Sequence, residues 1–273
     1  MTEQRFTAAE LTRVAIVTGA GSGIGRATAE LFARRGHFVV AVDITHETLS
    51  WVDHAAGIAD IVPFAGDVAD DATAAAMVGI ALDRWGRLDA AVLNAGIVGG
   101  PGFEDPGALE RFDRMIAVNV RSIVSGIRHC APAIRHSGGG AIVVTASTSG
   151  LGGDRGNWAY NASKAAVINL VRAAAMDYGS QGVRINAVAP GPTETGMTAG
   201  LQRMPVLHAA MTRRIPLQRW GQPSELAEAI WFLASPAASF IHGVLLPVDG
   251  GLSANAGHYD PPELPAADQV DPG

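Results

Sequence analysis

Seven short, nearly unbroken apolar runs recur along the chain, each separated from the next by a longer amphipathic stretch. The runs are Val14–Thr18, Phe38–Val42, Ile61–Phe64, Ala90–Leu93, Ala141–Thr145, Arg184–Val188 and Val244–Val248. Strands that are apolar on every side chain must be covered on both faces, as in a parallel sheet. The intervening segments Gly25–Arg35, Ala69–Trp85, Ala108–His136, Tyr160–Tyr178 and Ser224–Ala234 have helical periodicity. Alternation of this kind predicts an α/β fold: a doubly wound, Rossmann-like parallel sheet of about seven strands with helices on both faces. Right-handed crossovers then leave few topologies open. No repeat or linker divides the chain. The reading is one domain over residues 1–252, an insertion near 192–220 placed to act as a lid, and a Pro/Ala/Asp-rich tail over 253–273.

Composition removes several classes of partner. With 20 basic residues scattered among 26 acidic ones, the formal net charge is −6, and no Lys/Arg cluster exists to displace counterions from a nucleic acid. Nucleic-acid and anionic-membrane binding are not expected. Cys130 is the single cysteine, so no intrachain disulfide is available, and its apolar surroundings predict a buried, inert thiol. Residues 1–10 carry charges and no apolar run, unlike a signal peptide, and no segment approaches bilayer length. The expectation is a soluble cytoplasmic protein. No metal site is expected.

The first strand runs straight into a glycine turn, Thr18-Gly19-Ala20-Gly21-Ser22-Gly23-Ile24-Gly25, and a helix follows at once. Amides at a helix start attract a pyrophosphate, and glycines let its oxygens approach the backbone. The spacing is Gly19-x-x-x-Gly23-x-Gly25 rather than G-x-G-x-x-G. Asp43 closes the second strand 18 residues beyond Gly25, where a carboxylate can accept from both adenosine ribose hydroxyls. It would repel a 2′-phosphate, and Ser22, Ile44 and Thr45 offer no cation to receive one. NAD is therefore expected over NADP. Asp67 and Val68 follow the third strand, placed for the adenine, and Asn94-Ala95-Gly96 follow the fourth. Ligands of open α/β sheets bind beyond the carboxyl ends of strands.

Tyr160 and Lys164 are four apart on a predicted helix, so they share one face about 6 Å apart along the axis. A phenol titrates near 10, and a neighbouring cation favours its phenolate. The expectation is a tyrosine made acidic by Lys164 and by an oxidised nicotinamide. Ser147 ends the fifth strand, and Asn119 interrupts a long helical segment.

Taken in order, Thr18-Gly19-x-x-x-Gly23-Ile24-Gly25, Asn94-Ala95-Gly96, Asn119, Ser147, Tyr160-x-x-x-Lys164 and Pro190-Gly191 resemble the short-chain dehydrogenase/reductase family, in its compact single-domain branch. The match covers roughly residues 10–252, and Val248-Asp249-Gly250-Gly251 resembles that branch too. The resemblance implies a tetrad of Asn119, Ser147, Tyr160 and Lys164. Tyr160 would exchange a proton with the substrate oxygen as hydride moves to or from nicotinamide C4. Ser147 would orient that oxygen, Lys164 would also hold the nicotinamide ribose, and Asn119 would anchor water in a relay toward Lys164. Gly19, Ser22, Gly23, Ile24, Gly25, Asp43, Asp67, Val68, Asn94, Ala95, Gly96, Pro190 and Gly191 would contact the cofactor. Thr193 or Thr195 would meet the carboxamide, the family pattern favouring Thr195. The resemblance also implies a homotetramer built through Ala108–His136 and Tyr160–Tyr178.

Three segments should frame the substrate: 97–103, 149–158 and 196–217. Leu151, Trp158 and Met197 are candidates for an apolar wall, the glycines at 150, 152 and 153 would leave space near the reacting carbon, and Arg155 is a nearby cation. The expected partner is a small, mainly uncharged secondary alcohol or its ketone. Two alternatives remain: a 3-oxoacyl thioester reductase of fatty-acid type, against which Asp43 argues, and a catalytically idle nucleotide-binding regulator, against which the intact tetrad argues.

Overall fold

A computed structural model describes residues 13–55 and 60–255. The strands are β1 (Val14–Thr18), β2 (Phe38–Asp43), β3 (Ile61–Ala65), β4 (Ala90–Leu93), β5 (Gly140–Thr145), β6 (Val183–Pro190) and β7 (Leu245–Val248). They form one all-parallel sheet in the order β3-β2-β1-β4-β5-β6-β7. The order reverses between β1 and β4, and that crevice is where such sheets take ligands. All seven expected strands are present, two with the expected ends and five with one or both ends shifted by at most two residues.

The helices are α1 (Gly23–Arg34), α2 (Asp71–Trp85), α3 (Ala108–Ile116), α4 (Ser122–His136), α5 (Trp158–Tyr178), α6 (Ala199–Gln202), α7 (Pro205–Arg213) and α8 (Pro223–Ala234). Side chains of a strand alternate between faces, which divides the core in two. Ile16, paired with Val40 and Ala91, joins the cluster under α2, α4 and α5. Its neighbour Val17, paired with Ala41 and Val92, joins the cluster under α1 and α8. Phe32 of α1 anchors that second face, fully buried with its ring 4.9 Å from Trp231.

The segment expected as one helix over Ala108–His136 is divided. Between α3 and α4 the residues Ala117–Arg121 form a turn of π-helix. One extra residue per turn changes which side chains face inward, and Asn119 is the residue it turns into the protein, 1% exposed.

The insertion at 192–220 is ordered around three ties. Thr193 bridges to Gly221, the Leu217 amide donates to the Gly250 carbonyl (3.2 Å), and Ile215 and Trp220 are buried. Between these ties Met197, Met204, Val206 and Leu217 remain more than half exposed. Cys130 is fully buried and its thiol is pushed up to about 12 by burial, as an inert core residue should be. Among the described residues no helix is long and apolar enough to cross a membrane, and no cluster of His, Cys, Asp or Glu has metal-ligand geometry. Of the expected tail, only residues 253–255 fall within the described residues.

Candidate active site

The glycine turn leaves α1 with an open N-terminus. Ser22 takes the N-cap position in extended conformation, exposed, without bonding its side chain to the helix amides. Those amides are therefore available to an anion. Gly25 is demanded by close approach, since a Cβ there would stand 2.0 Å from the Gly19 carbonyl oxygen. Ile24 packs into the core below the turn. Across the cleft the Thr195 side chain lies against Gly23.

Asp43 sits on this turn. Its Oδ2 accepts from the Gly21 N–H (2.8 Å), and its Oδ1 accepts from the Ile44 N–H (2.8 Å) and the Thr48 hydroxyl (3.0 Å). The Thr48 hydroxyl has a second acceptor, the Thr45 carbonyl at 2.8 Å, so it can turn away and free a carboxylate site. Arg26, a cation on the same turn, is engaged by Glu30 at 2.9 Å and lies over the Trp51 ring.

Asp67 accepts from the Ala69 N–H (2.9 Å) and from Arg114 (2.9 Å), and both bonds hold its carboxyl below the usual range, the backbone bond most. Val68 lines a small recess beside Thr18 and Leu93. Asn94 does more structural work than its sequence context implied. It donates to the Thr18 carbonyl (3.1 Å) and accepts from the Thr145 hydroxyl (3.0 Å), tying β1, β4 and β5 together. The Thr18 hydroxyl in turn accepts from the Asn94 and Ala95 amides at 2.9 and 3.1 Å. Room for a cofactor is thus left by Ala95 and Gly96, while the Asn94 side chain is spent on the sheet.

Tyr160 and Lys164 lie on consecutive turns of α5, with the ammonium 5.7 Å from the phenol ring centre. Lys164 is 4% exposed, donates to the Thr145 carbonyl at 2.8 Å, and is lowered to about 8 by burial. The Ser147 hydroxyl accepts from the Ser149 N–H at 3.1 Å, and its influence on the phenol is a lowering one. Among the protein's own groups, desolvation outweighs the other influences on the phenol. The phenol is raised above its ordinary value, chiefly by burial, with the Ser147 hydroxyl opposing the rise and the Asp154 charge adding to it. The ammonium is turned onto a carbonyl and does not offset the desolvation.

Asn119 serves here as a clamp. Its Oδ1 accepts from the Ile97 N–H (2.8 Å), and its Nδ2 donates to the Ile97 carbonyl (2.9 Å) and to Ser163 (3.0 Å). Gly96 lies against both Asn119 and Lys164, so the chain leaving β4 is seated directly on those two side chains. Pro190 ends β6, and the Gly191 amide donates to Val248 (3.1 Å). Thr193 is buried with its hydroxyl on the Gly191 carbonyl (2.9 Å), which leaves Thr195 as the threonine facing the cleft.

Three participants escaped the sequence reading. Ser163 locks Asn119. Arg111 holds the Val98 and Gly99 carbonyls at 2.7 and 2.9 Å. Asp154 lies close enough to perturb Tyr160. No spacing rule points to any of them, because each contact joins segments remote in sequence or inside an irregular loop. Trp158 stacks with Phe103 (4.4 Å) and Phe112 (5.5 Å) and donates from Nε1 to the Pro101 carbonyl (3.2 Å), forming an aromatic wall. Leu151 and Met197 are about half exposed. Gly150, expected to give the substrate room, instead lets its loop touch α5: a Cβ there would stand 2.7 Å from the Lys164 backbone.

A family model described as "Enoyl-(Acyl carrier protein) reductase" matches residues 19–253. The 2-(R)-hydroxypropyl-CoM dehydrogenase of Xanthobacter autotrophicus is 39% identical over 249 residues, covering 89% of this chain and 100% of that protein. The chain belongs to the short-chain dehydrogenase/reductase family. It is an oxidoreductase. The cis-4-hydroxycyclohexanecarboxylate dehydrogenase of Sinomonas cyclohexanicum is 40% identical over 255 residues, 89% of this chain and 97% of that one. Among solved structures, levodione reductase superposes with a TM-score of 0.84 at 34% identity, covering 89% of this chain and 98% of its own. A Beutenbergia cavernae protein described as an NAD(P)-dependent gluconate 5-dehydrogenase, with NADP bound, gives 0.80 at 39% identity over 89% and 97%. Short-chain dehydrogenase/reductases use a nicotinamide cofactor, and the open α1 terminus with its glycine turn fits the pyrophosphate of one.

Proposed function

We propose that this short-chain dehydrogenase/reductase oxidises a small secondary alcohol, or reduces the matching ketone, with NAD as its preferred cofactor. The observation that carries the reading is the convergence of Ser147, Tyr160 and Lys164, one on the end of β5 and two on one face of α5, beside an anion-ready helix terminus. Two of the relatives carry a hydroxyl on a secondary carbon in their names, which supports the substrate class. The Phe103–Trp158 wall suits an apolar, cyclic body.

Gly19, Ser22, Gly23, Ile24, Gly25, Ala95, Gly96, Pro190 and Gly191 would line the dinucleotide, with Asp43 on the adenosine ribose, Asp67 and Val68 at the adenine and Thr195 at the carboxamide. When bound, oxidised NAD supplies the hydride acceptor and a positive charge beside the phenol. Ser147 donates to the substrate oxygen and fixes its direction. Tyr160 takes the hydroxyl proton in oxidation and returns it in reduction. The desolvation that holds the free phenol up also strengthens any positive charge brought beside it. Lys164 holds the nicotinamide ribose, and its lowered ammonium is suited to exchanging a proton with a water anchored at Asn119. Asn119, clamped to Ile97, seats that end of the relay. The insertion at 192–220, with its exposed apolar side chains, closes over bound substrate. Assembly as a homotetramer is supported by Val124 on α4 and Met176 on α5, which stand 47% and 74% exposed.

A substrate panel tests the reading. Purified protein with NAD is expected to oxidise secondary alcohols such as cyclohexanol faster than with NADP. Turnover confined to NADPH and 3-oxoacyl thioesters would overturn both the substrate and the cofactor assignments.

A further inference from the structure

The loop leaving β5 carries a polar relay that the reaction itself does not need. Ser149 follows Ser147 by two residues and donates its amide to the Ser147 hydroxyl at 3.1 Å. Its own hydroxyl donates to Asp154 Oδ2. Asp154 is exposed, and the Asn157 amide donates to its carbonyl at 3.1 Å, closing the turn that starts α5. Among the described residues no Lys or Arg lies within ion-pair distance of it, its neighbour Arg155 included. Through Ser149 the carboxylate is joined to the Ser147 hydroxyl, and its charge adds to the rise of the Tyr160 phenol. The aromatic wall is made by Phe103 and Trp158, the latter two residues before Tyr160. The segment leading into Tyr160 thus carries an apolar wall and, six residues before the phenol, a negative charge with no Lys or Arg partner among the described residues.

A single serine donor leaves a carboxylate with spare acceptor capacity, since its two oxygens have about four lone-pair sites. A substrate hydroxyl can use those sites, whereas a second carboxylate or a sulfonate meets like charge. We infer that Asp154, steadied by Ser149, is a specificity-determining residue that accepts a hydrogen bond from a second hydroxyl of the substrate and opposes anionic alcohols. The assignment rests on the alcohol-oxidising reading above. It separates this chain's preferred substrates, hydroxylated and uncharged, from carboxylated ones.

Three alcohols on one ring test it: cyclohexanol, cis-1,2-cyclohexanediol and cis-4-hydroxycyclohexanecarboxylate, each assayed with NAD on wild type, Asp154→Asn and Ser149→Ala. Wild type is expected to favour the diol over the carboxylate in kcat/KM. In Asp154→Asn the diol-to-cyclohexanol ratio of kcat/KM should fall about tenfold and the carboxylate-to-cyclohexanol ratio should rise about tenfold, both mainly through KM. Ser149→Ala should move both ratios the same way by a smaller factor, and serves if the first variant is poorly folded. Ratios within twofold of wild type in both variants would overturn the inference while leaving the alcohol reading intact. A wild type inactive on all three alcohols would overturn the two together.

Discussion

Replacing Asp43 with asparagine changes one charge at the edge of the glycine turn, and its effect on cofactor choice follows from the local geometry. The carboxylate is held by two backbone donors at 2.8 Å, one on each oxygen, so it cannot swing away from an incoming phosphate. A 2′-phosphate, carrying about −1.5 to −2 at neutral pH, would stand roughly 5 Å from it on a ribose held there. At an effective dielectric of about 40, between bulk water and the ε ≈ 20 typical near a surface, each unit-charge pair costs roughly 1.7 kcal/mol. The penalty on NADPH is then about 2–4 kcal/mol, or roughly 30- to 1000-fold in affinity. Asparagine removes the charge while keeping a carbonyl for Ile44 and Thr48. Its cost in lost hydrogen bonds falls on both cofactors alike. Fluorescence titration with NADH and NADPH at about 0.1 M salt, where a contact this short is little screened, reads the ratio of Kd values. The ratio in wild type should favour NADH by that factor and should collapse toward unity in Asp43→Asn. A wild type that binds both within threefold, or a ratio unmoved by the substitution, would refute the reasoning.

Other consequences are equally direct. Gly25→Ala, forcing a methyl to within 2.0 Å of the Gly19 oxygen, should weaken NADH binding at least 100-fold in the same titration, and retained affinity would remove the turn from the site. Asn119→Ala strands the Ile97 amide and carbonyl and Ser163. At about 1–3 kcal/mol for unsatisfied buried groups it should lower Tm by roughly 3–10 °C for a chain this long, and an unchanged melt would deny the clamp. His37, wedged between Phe32 and Trp231, is lowered to about 4 by burial, with the Arg13 charge adding to the effect. Above pH 6.5 it is neutral folded or unfolded. Below that the unfolded chain takes the proton first, so stability falls as pH drops from 6.5 toward 4, by up to about 3 kcal/mol. His37→Phe should lose that part of the acid dependence in urea melts between pH 7 and 4.5, whereas parallel curves would contradict it.

The sheet was legible because parallel strands must be apolar on both faces, and runs such as Val14–Thr18 and Ala90–Leu93 allow little else. The carboxyl-end rule then gathered Gly19, Asp43, Asn94 and Ser147 at one rim. Asn119 was recognisable as a break in a helical pattern, but the clamp on Ile97 and Ser163 was not, because it depends on a π turn whose extra residue leaves no signature in spacing. The same holds for charge. Four-residue spacing puts Tyr160 and Lys164 on one face, but only three dimensions show the ammonium turned to Thr145 and the phenol raised by burial and Asp154. Asp154 and Arg111 belong to contacts made within or onto irregular loops, where periodicity carries no information.

The central claim is that the Tyr160 phenol exchanges the proton of the reacting oxygen. Tyr160→Phe keeps the ring and its packing and removes only the hydroxyl. Single-turnover oxidation of cyclohexanol should slow by about 10²–10⁴-fold, the range for loss of a positioned acid–base group, with the Kd for NADH within threefold of wild type. Turnover at the wild-type rate with NADH still bound would contradict it.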